Sequence, residues 1–181
     1  MPRLIHLDGP PGVGKSTLAR RYGADHPGVL VCEIDLVRTM VARWEDDPVD
    51  AGERIRTAAL ALIGAYLADG GDVVLPQLMA NPVQVARFAA TAEAAGATYH
   101  RLVLTAPIDE VVRRFRGRGD DHPWARRARE VVDADGGDAA LARWADRLAG
   151  SGAETLPSTT PDETYAALLA ALPGEVSCPD S

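Results

Sequence analysis

The run Gly9-Pro10-Pro11-Gly12-Val13-Gly14-Lys15-Ser16 spells G-x-x-x-x-G-K-[ST], a spacing whose chemistry is the gripping of a phosphate chain. Its glycines let the backbone wrap an anion and aim successive N–H groups inward. A helix starting at the loop adds the positive end of its dipole at the same point. Lys15 supplies a mobile cation toward the outer phosphates, and the Ser16 hydroxyl is a ligand for Mg2+. Gly9, Gly12, Val13, Gly14, Lys15, Ser16 and Thr17 are therefore expected to form a nucleotide triphosphate site. Lys15 is also the only lysine in the chain, every other basic side chain being arginine. A lysine kept where a phosphate needs a flexible point charge fits that role.

A second group of residues suits phosphoryl transfer. Asp35 follows an apolar run and can accept the proton of an attacking hydroxyl. Its structural alternative is a helix N-cap, and the two roles are compatible. Arg38 comes one helical turn later, so it faces the same side and either positions an acceptor or orients Asp35. A solvated surface arginine is the plainer alternative. Arg113, Arg114, Arg116, Arg118, Arg126, Arg127 and Arg129 then crowd one short stretch. Two helices joined by an arginine-rich loop suit a lid over phosphates, since the guanidinium fork pairs with two oxygens at once. Arg118 in the loop and Arg126 beyond it are the candidates for the transferring phosphate. The alternative is a basic face neutralised by acids such as Asp109 and Glu110.

The elements that must position these residues can be read from periodicity. Strands are expected over Arg3–Leu7, Val29–Ile34, Val73–Leu75, Tyr99–Leu104 and Glu154–Leu156. Helices are expected from Ser16, behind Asp35, over Glu53–Ala68, Pro82–Ala95, Pro107–Phe115, Ala125–Val132, Ala139–Leu148 and Pro161–Leu172. Glu45–Gly52 reads as a loop. Strands alternating with helices give a mostly parallel sheet, with ligands at the carboxyl ends of its strands. The phosphate loop, Asp35 and Pro76-Gln77 all fall at such ends.

The 181 residues fit one domain, residues 1–172, ending in a flexible tail over 173–181. A net charge of −7 argues against indiscriminate polyanion binding. Cys32 and Cys178 form no metal-ligand spacing, and His6, His26, His100 and His122 show no metal or triad pattern. His6 and His100 are expected as packed or edge residues, and Trp44, Trp124 and Trp144 in or beside the core. No apolar run is long enough to span a bilayer, so a cytoplasmic protein is the expectation.

Gly9–Thr17, His26-Pro27-Gly28 before a strand, Asp35-Leu36-Val37-Arg38, Asn81-Pro82 and Arg114 with Arg118-Gly119 together carry a likeness. The chain resembles small P-loop kinases related to the 5′-kinase domain of polynucleotide kinase and to zeta-toxin-like phosphotransferases, over most of residues 1–130. The resemblance implies a three-layer α/β/α sandwich of the nucleoside/nucleotide-kinase-like P-loop type, with a helical lid at about 113–133. It also implies ATP with Mg2+, Asp35 as general base, Arg38 on the acceptor and a lid arginine on the moving phosphate. One departure is Gln77, which follows the third strand where such kinases carry an acid. Metal handling is then expected to rest on Ser16, aided by Asp35 or Asp8. The function expected is ATP-dependent phosphorylation of a hydroxyl on a small molecule. The alternatives are a kinase of polynucleotide 5′-hydroxyl ends and an NTP-hydrolysing switch or nucleotide-dependent binding module without an acceptor.

Overall fold

The computed structural model describes residues 1–46, 48–119 and 124–174. His122, Cys178, the middle of the expected lid and most of the expected tail lie outside them. Five strands form one sheet: β1 (Arg3–Asp8), β2 (Leu30–Val31), β3 (Val73–Pro76), β4 (Thr98–Thr105) and β5 (Glu154–Pro157). Their order is β2-β3-β1-β4-β5 and every pairing is parallel. Each crossover carries at least one helix: α1 (Lys15–Asp25), α2 (Ile34–Arg38), α3 (Pro48–Ala68), α4 (Pro82–Ala94), α5 (Ile108–Arg116), α6 (Ala125–Ala134) and α7 (Asp138–Ala149), with α8 (Pro161–Ala171) closing the chain.

Strand alternation sorts the core into two layers. Ile5, Leu7, Val74, Leu102 and Leu104 face α1 and α8 through Leu18, Tyr22, Tyr165 and Leu168. Leu4, Val73 and Leu75 face the other way, onto Ile55, Ala59, Ile63 and Phe88 of α3 and α4. A third, smaller cluster of Phe115, Ala128, Val132 and Leu141 binds α5, α6 and α7 together. Phe115, at the end of α5, thus roots the arginine-rich helices onto the domain. Among the described residues no helix is long and apolar enough to cross a membrane.

Two boundaries differ from the sequence reading. The second strand is only Leu30–Val31, and Ile34 already starts α2, so Asp35 lies in the helix's first turn. The N-cap is Glu33, with no side-chain cap bond, and Asp35 is not the cap it was expected to be. The loop expected over 45–52 ends early, because α3 begins at Pro48. Proline is well tolerated in a first helical turn, where its missing N–H has no partner to lose. The expected cap at α4 is present, Asn81 accepting from the Val83 amide at 2.9 Å ahead of Pro82.

Candidate active site

The phosphate loop lies between β1 and α1, and two glycines give it its path. Gly12 and Gly14 hold φ of +90° and +106°, left-handed values that favour residues without a Cβ. At Gly12 a Cβ would stand 2.6 Å from the Val111 carbonyl oxygen and 2.9 Å from Phe115. The loop is thus pressed directly against α5. Lys15 reaches back along it, its ammonium donating to the Gly9 and Pro10 carbonyls at 2.8 and 3.0 Å.

Gly12, Gly14, Lys15, Ser16 and Thr17 line a cleft of about 650 Å³, a size suited to small-molecule ligands. Asp35, Arg38, Gln77, Arg114 and Arg118 line the same cleft. Gly9 and Val13 do not line it; both are buried beneath the loop. Asp35 and Arg38 lie 3.6 Å apart (Oδ1 to a terminal guanidinium nitrogen). Arg38 is buried and stacks its guanidinium 4.1 Å from the Trp124 ring centroid. Trp44 leans on the other indole at 5.4 Å. The solvated alternative for Arg38 does not hold.

The expected lid arginines separate. Arg118 turns into the cleft, close enough to Lys15 to disfavour its charge. Arg126 does not line this cleft: it is 74% exposed and directed to Glu45 and Glu130, at 3.8 and 3.7 Å. Its position on α6 points it outward, and the i,i+4 acid holds it there. The sequence reading did not place Arg114 on the transferring phosphate, yet it bridges Ser158 Oγ and the Thr159 carbonyl, each at 3.2 Å, and bonds Glu110 at 2.6 Å. Bonds from Arg113 and Arg114 hold the Glu110 carboxyl down at about 2, so it stays charged and fixes both. Ser158 also donates to the Val13 carbonyl at 2.7 Å, joining the end of β5 to the phosphate loop. The signal for Ser158 was its place at the carboxyl end of a strand.

Behind the loop is a buried polar network. Asp8 is fully buried and accepts from the Gly9 and Met79 amides at 2.8 and 2.9 Å. Arg101 adds two bonds to Oδ2 at 3.1 and 2.8 Å. Both carboxylate oxygens are therefore engaged, and the option of Asp8 as an aid to metal binding fails. His6, also buried, faces the Gln77 carbonyl at 2.8 Å through Nε2 and Tyr99 Oη at 2.7 Å through Nδ1. Since a carbonyl only accepts, Nε2 carries the proton and Nδ1 accepts from the tyrosine. Burial lowers the His6 pKa and keeps it neutral.

These residues fit a nucleotide with a hard cation. The loop supplies amides and an ammonium, and Ser16 and Asp35 supply oxygens. The buried Gln77 Oε1 has no hydrogen-bond partner, leaving an acceptor for a metal-bound water. No group of three or more His, Cys, Asp or Glu side chains that could hold a metal ion occurs among the described residues.

The sequence comparison extends the match beyond the loop. A family model described as AAA domain matches residues 4–149. The chain belongs to this AAA domain family. No curated protein matches it significantly. Among solved structures, this AAA domain is similar to a gluconokinase from Sinorhizobium meliloti 1021, with a TM-score of 0.61 and 18% identity over 94% of this chain and 91% of that one. A candidate kinase from Chloroflexus aurantiacus j-10-fl gives a TM-score of 0.64 at 16% identity, covering 91% of each chain. A chain of the Pnkp1/Rnl/Hen1 RNA repair complex gives 0.58 at 22% identity, over 82% of this chain and 44% of that one. At these identities the likeness is one of fold, and the fold is the P-loop kinase-like one.

Lys15 makes the nucleotide site sensitive to pH. Burial pushes its ammonium down to about 8, against the pull of Asp8 and Asp35 and with help from Arg118. Above that pH the free protein loses the proton, whereas a bound triphosphate favours the charged form. Nucleotide affinity should thus fall by roughly tenfold per pH unit above 8, with proton uptake on binding. Calorimetry at several pH values in buffers of different ionisation enthalpy checks both. The folding contribution has the opposite slope: between about 8 and 10.5 the unfolded lysine holds more protons, so stability from this group rises with pH.

Proposed function

We propose that this AAA domain is an ATP-dependent phosphotransferase that phosphorylates a hydroxyl of a small molecule. The observation that supports the reading is the meeting of Asp35 and Arg38 with Lys15 and Ser16 in one cleft. ATP with Mg2+ supplies the phosphoryl group and offsets part of its charge. Ser16, with the unpartnered Gln77 Oε1 as an acceptor at the cleft wall, would hold the metal and its waters. Asp35 takes the acceptor's proton as the hydroxyl oxygen bonds to phosphorus and the bond to the leaving diphosphate breaks. Arg38, 3.6 Å from that carboxylate, holds it in position. Lys15 and Arg118 counter the charge on the moving phosphoryl oxygens, and Arg114 braces the nucleotide side. A cytoplasmic setting, where ATP is plentiful, suits this activity.

The 5′-hydroxyl polynucleotide reading receives less support from the geometry. Arg113, Arg116, Arg126 and Arg127 are tied to Glu110, Asp133, Asp138 and Glu130 rather than left open to a phosphate backbone. A screen of hydroxyl acceptors for ADP release, with wild type beside Lys15→Ala, tests the proposal. Lys15→Ala should lower both nucleotide affinity and turnover at least about tenfold. A protein indifferent to that change does not use this loop. Label transferred to a 5′-hydroxyl oligonucleotide, and strongly suppressed by salt, would instead favour the polynucleotide reading.

A further inference from the structure

The two ends of the cleft differ in chemistry. Its cations gather at the nucleotide end. Arg114 is tied to Ser158 and Thr159, Arg21 donates to the Pro161 carbonyl at 3.2 Å and to Asp162 at 2.7 Å, and Arg118 lies in electrostatic reach of Lys15. The end next to Asp35 is built otherwise. Trp124, Ala128, Val131 and Val132 recur at helical spacing and all line the cleft, so α6 presents an apolar stripe to it. Trp144 of α7 extends that wall, and Leu78 lines the cleft as well. Val131 is 39% exposed, an apolar side chain left partly uncovered inside a concave site. Arg38 lies 3.6 Å from Asp35 and stacks on the Trp124 ring, and its buried Nε has no hydrogen-bond partner.

We infer that the acceptor is a hydroxyl compound with a flat apolar portion, such as an aryl ring. That portion lies against Val131, Trp124 and Trp144, and its hydroxyl reaches Asp35. Indoles favour flat apolar partners through area and ring stacking. The inference rests on the phosphotransfer reading for the hydroxyl, but the binding preference can be measured without it.

The test uses phenylethanediol and naphthylethanediol as probes, with glycerol, gluconate and a 5′-hydroxyl oligonucleotide as comparators. Saturation-transfer NMR reports binding, and ADP release with product mass reports transfer. The aryl diols should receive saturation mainly on their ring protons and be turned over more efficiently than glycerol or gluconate, within the roughly 10–200-fold that apolar contact provides. Val131→Asp, placed where the side chain is partly exposed, should weaken the ring signal at least fivefold and leave nucleotide affinity unchanged. Val131→Leu should keep the ring signal, which separates a lost contact from a damaged fold. An undiminished ring signal in Val131→Asp overturns the inference. So does no binding of either aryl diol, or preferred turnover of glycerol, gluconate or the oligonucleotide. If no compound is phosphorylated yet the aryl diols bind and Val131→Asp releases them, the phosphotransfer reading fails and the site assignment stands.

Discussion

Replacing Asp35 by asparagine should lower phosphoryl transfer by about 10²–10⁴-fold, the usual contribution of a positioned general base, while ATP affinity changes by less than about twofold. Asparagine keeps the shape and the first-turn position in α2 but cannot accept the acceptor's proton. The loop amides, Lys15 and Ser16 are separate from it in the chain and should hold the nucleotide as before. Single-turnover ADP formation and calorimetric titration with ATP measure the two quantities independently. An unchanged rate removes Asp35 from the chemistry. A rate and an affinity that fall together would instead make Asp35 part of the metal and nucleotide site. Arg38→Met is the companion variant: it strips the carboxylate of its 3.6 Å partner and should raise the pH at which activity sets in.

The second large effect is on stability. Arg101→Ala should destabilise the fold by about 3–5 kcal/mol, since it removes the guanidinium hydrogen-bonded to the buried Asp8 carboxylate. Against a typical total of about 5–15 kcal/mol, that is a large share. The Gly9 and Met79 amides remain as donors, but two dipoles do not neutralise a charge that is fully buried. The double variant Asp8→Asn with Arg101→Leu should be less destabilised than Arg101→Ala alone, because no unpaired charge is then buried. Urea denaturation of wild type, Arg101→Ala and the double variant decides this, and a double variant at least as destabilised as Arg101→Ala would refute the pairing argument.

Asp8 and Arg101 also mark what could not be read from the sequence. They lie 93 residues apart and meet only because β1 and β4 are neighbours, with Asp8 level with Val103. Nothing local to either residue signals the contact. The same holds for Arg114 and Ser158, 44 residues apart. By contrast, the place of the phosphate loop between the first strand and helix was legible, because its glycines, lysine and serine fall within eight consecutive positions. The alternation of strands and helices was legible too, since each crossover in a parallel sheet repeats one amphipathic pattern. Arg118 and Arg126 show the limit of that approach. Both belong to one basic run, but the turn of α6 sends Arg126 toward Glu45 and Glu130 and away from the cleft. The early start of α3 was missed because a polar run resembles a loop, whereas here its proline opens a helix.

The tight seam at Gly12 has a mechanical consequence. With the Val111 carbonyl and Phe115 filling the space where a side chain would be, α5 cannot slide over the phosphate loop. Arg113 and Arg114, carried by α5, are accordingly fixed in position relative to that loop. Arg118 sits past the Gly117 C-cap, off that fixed mount. The arginines of the helix thereby share one mount with the phosphate loop, whereas Arg118 is held from α6 through the bond of Arg129 to its carbonyl.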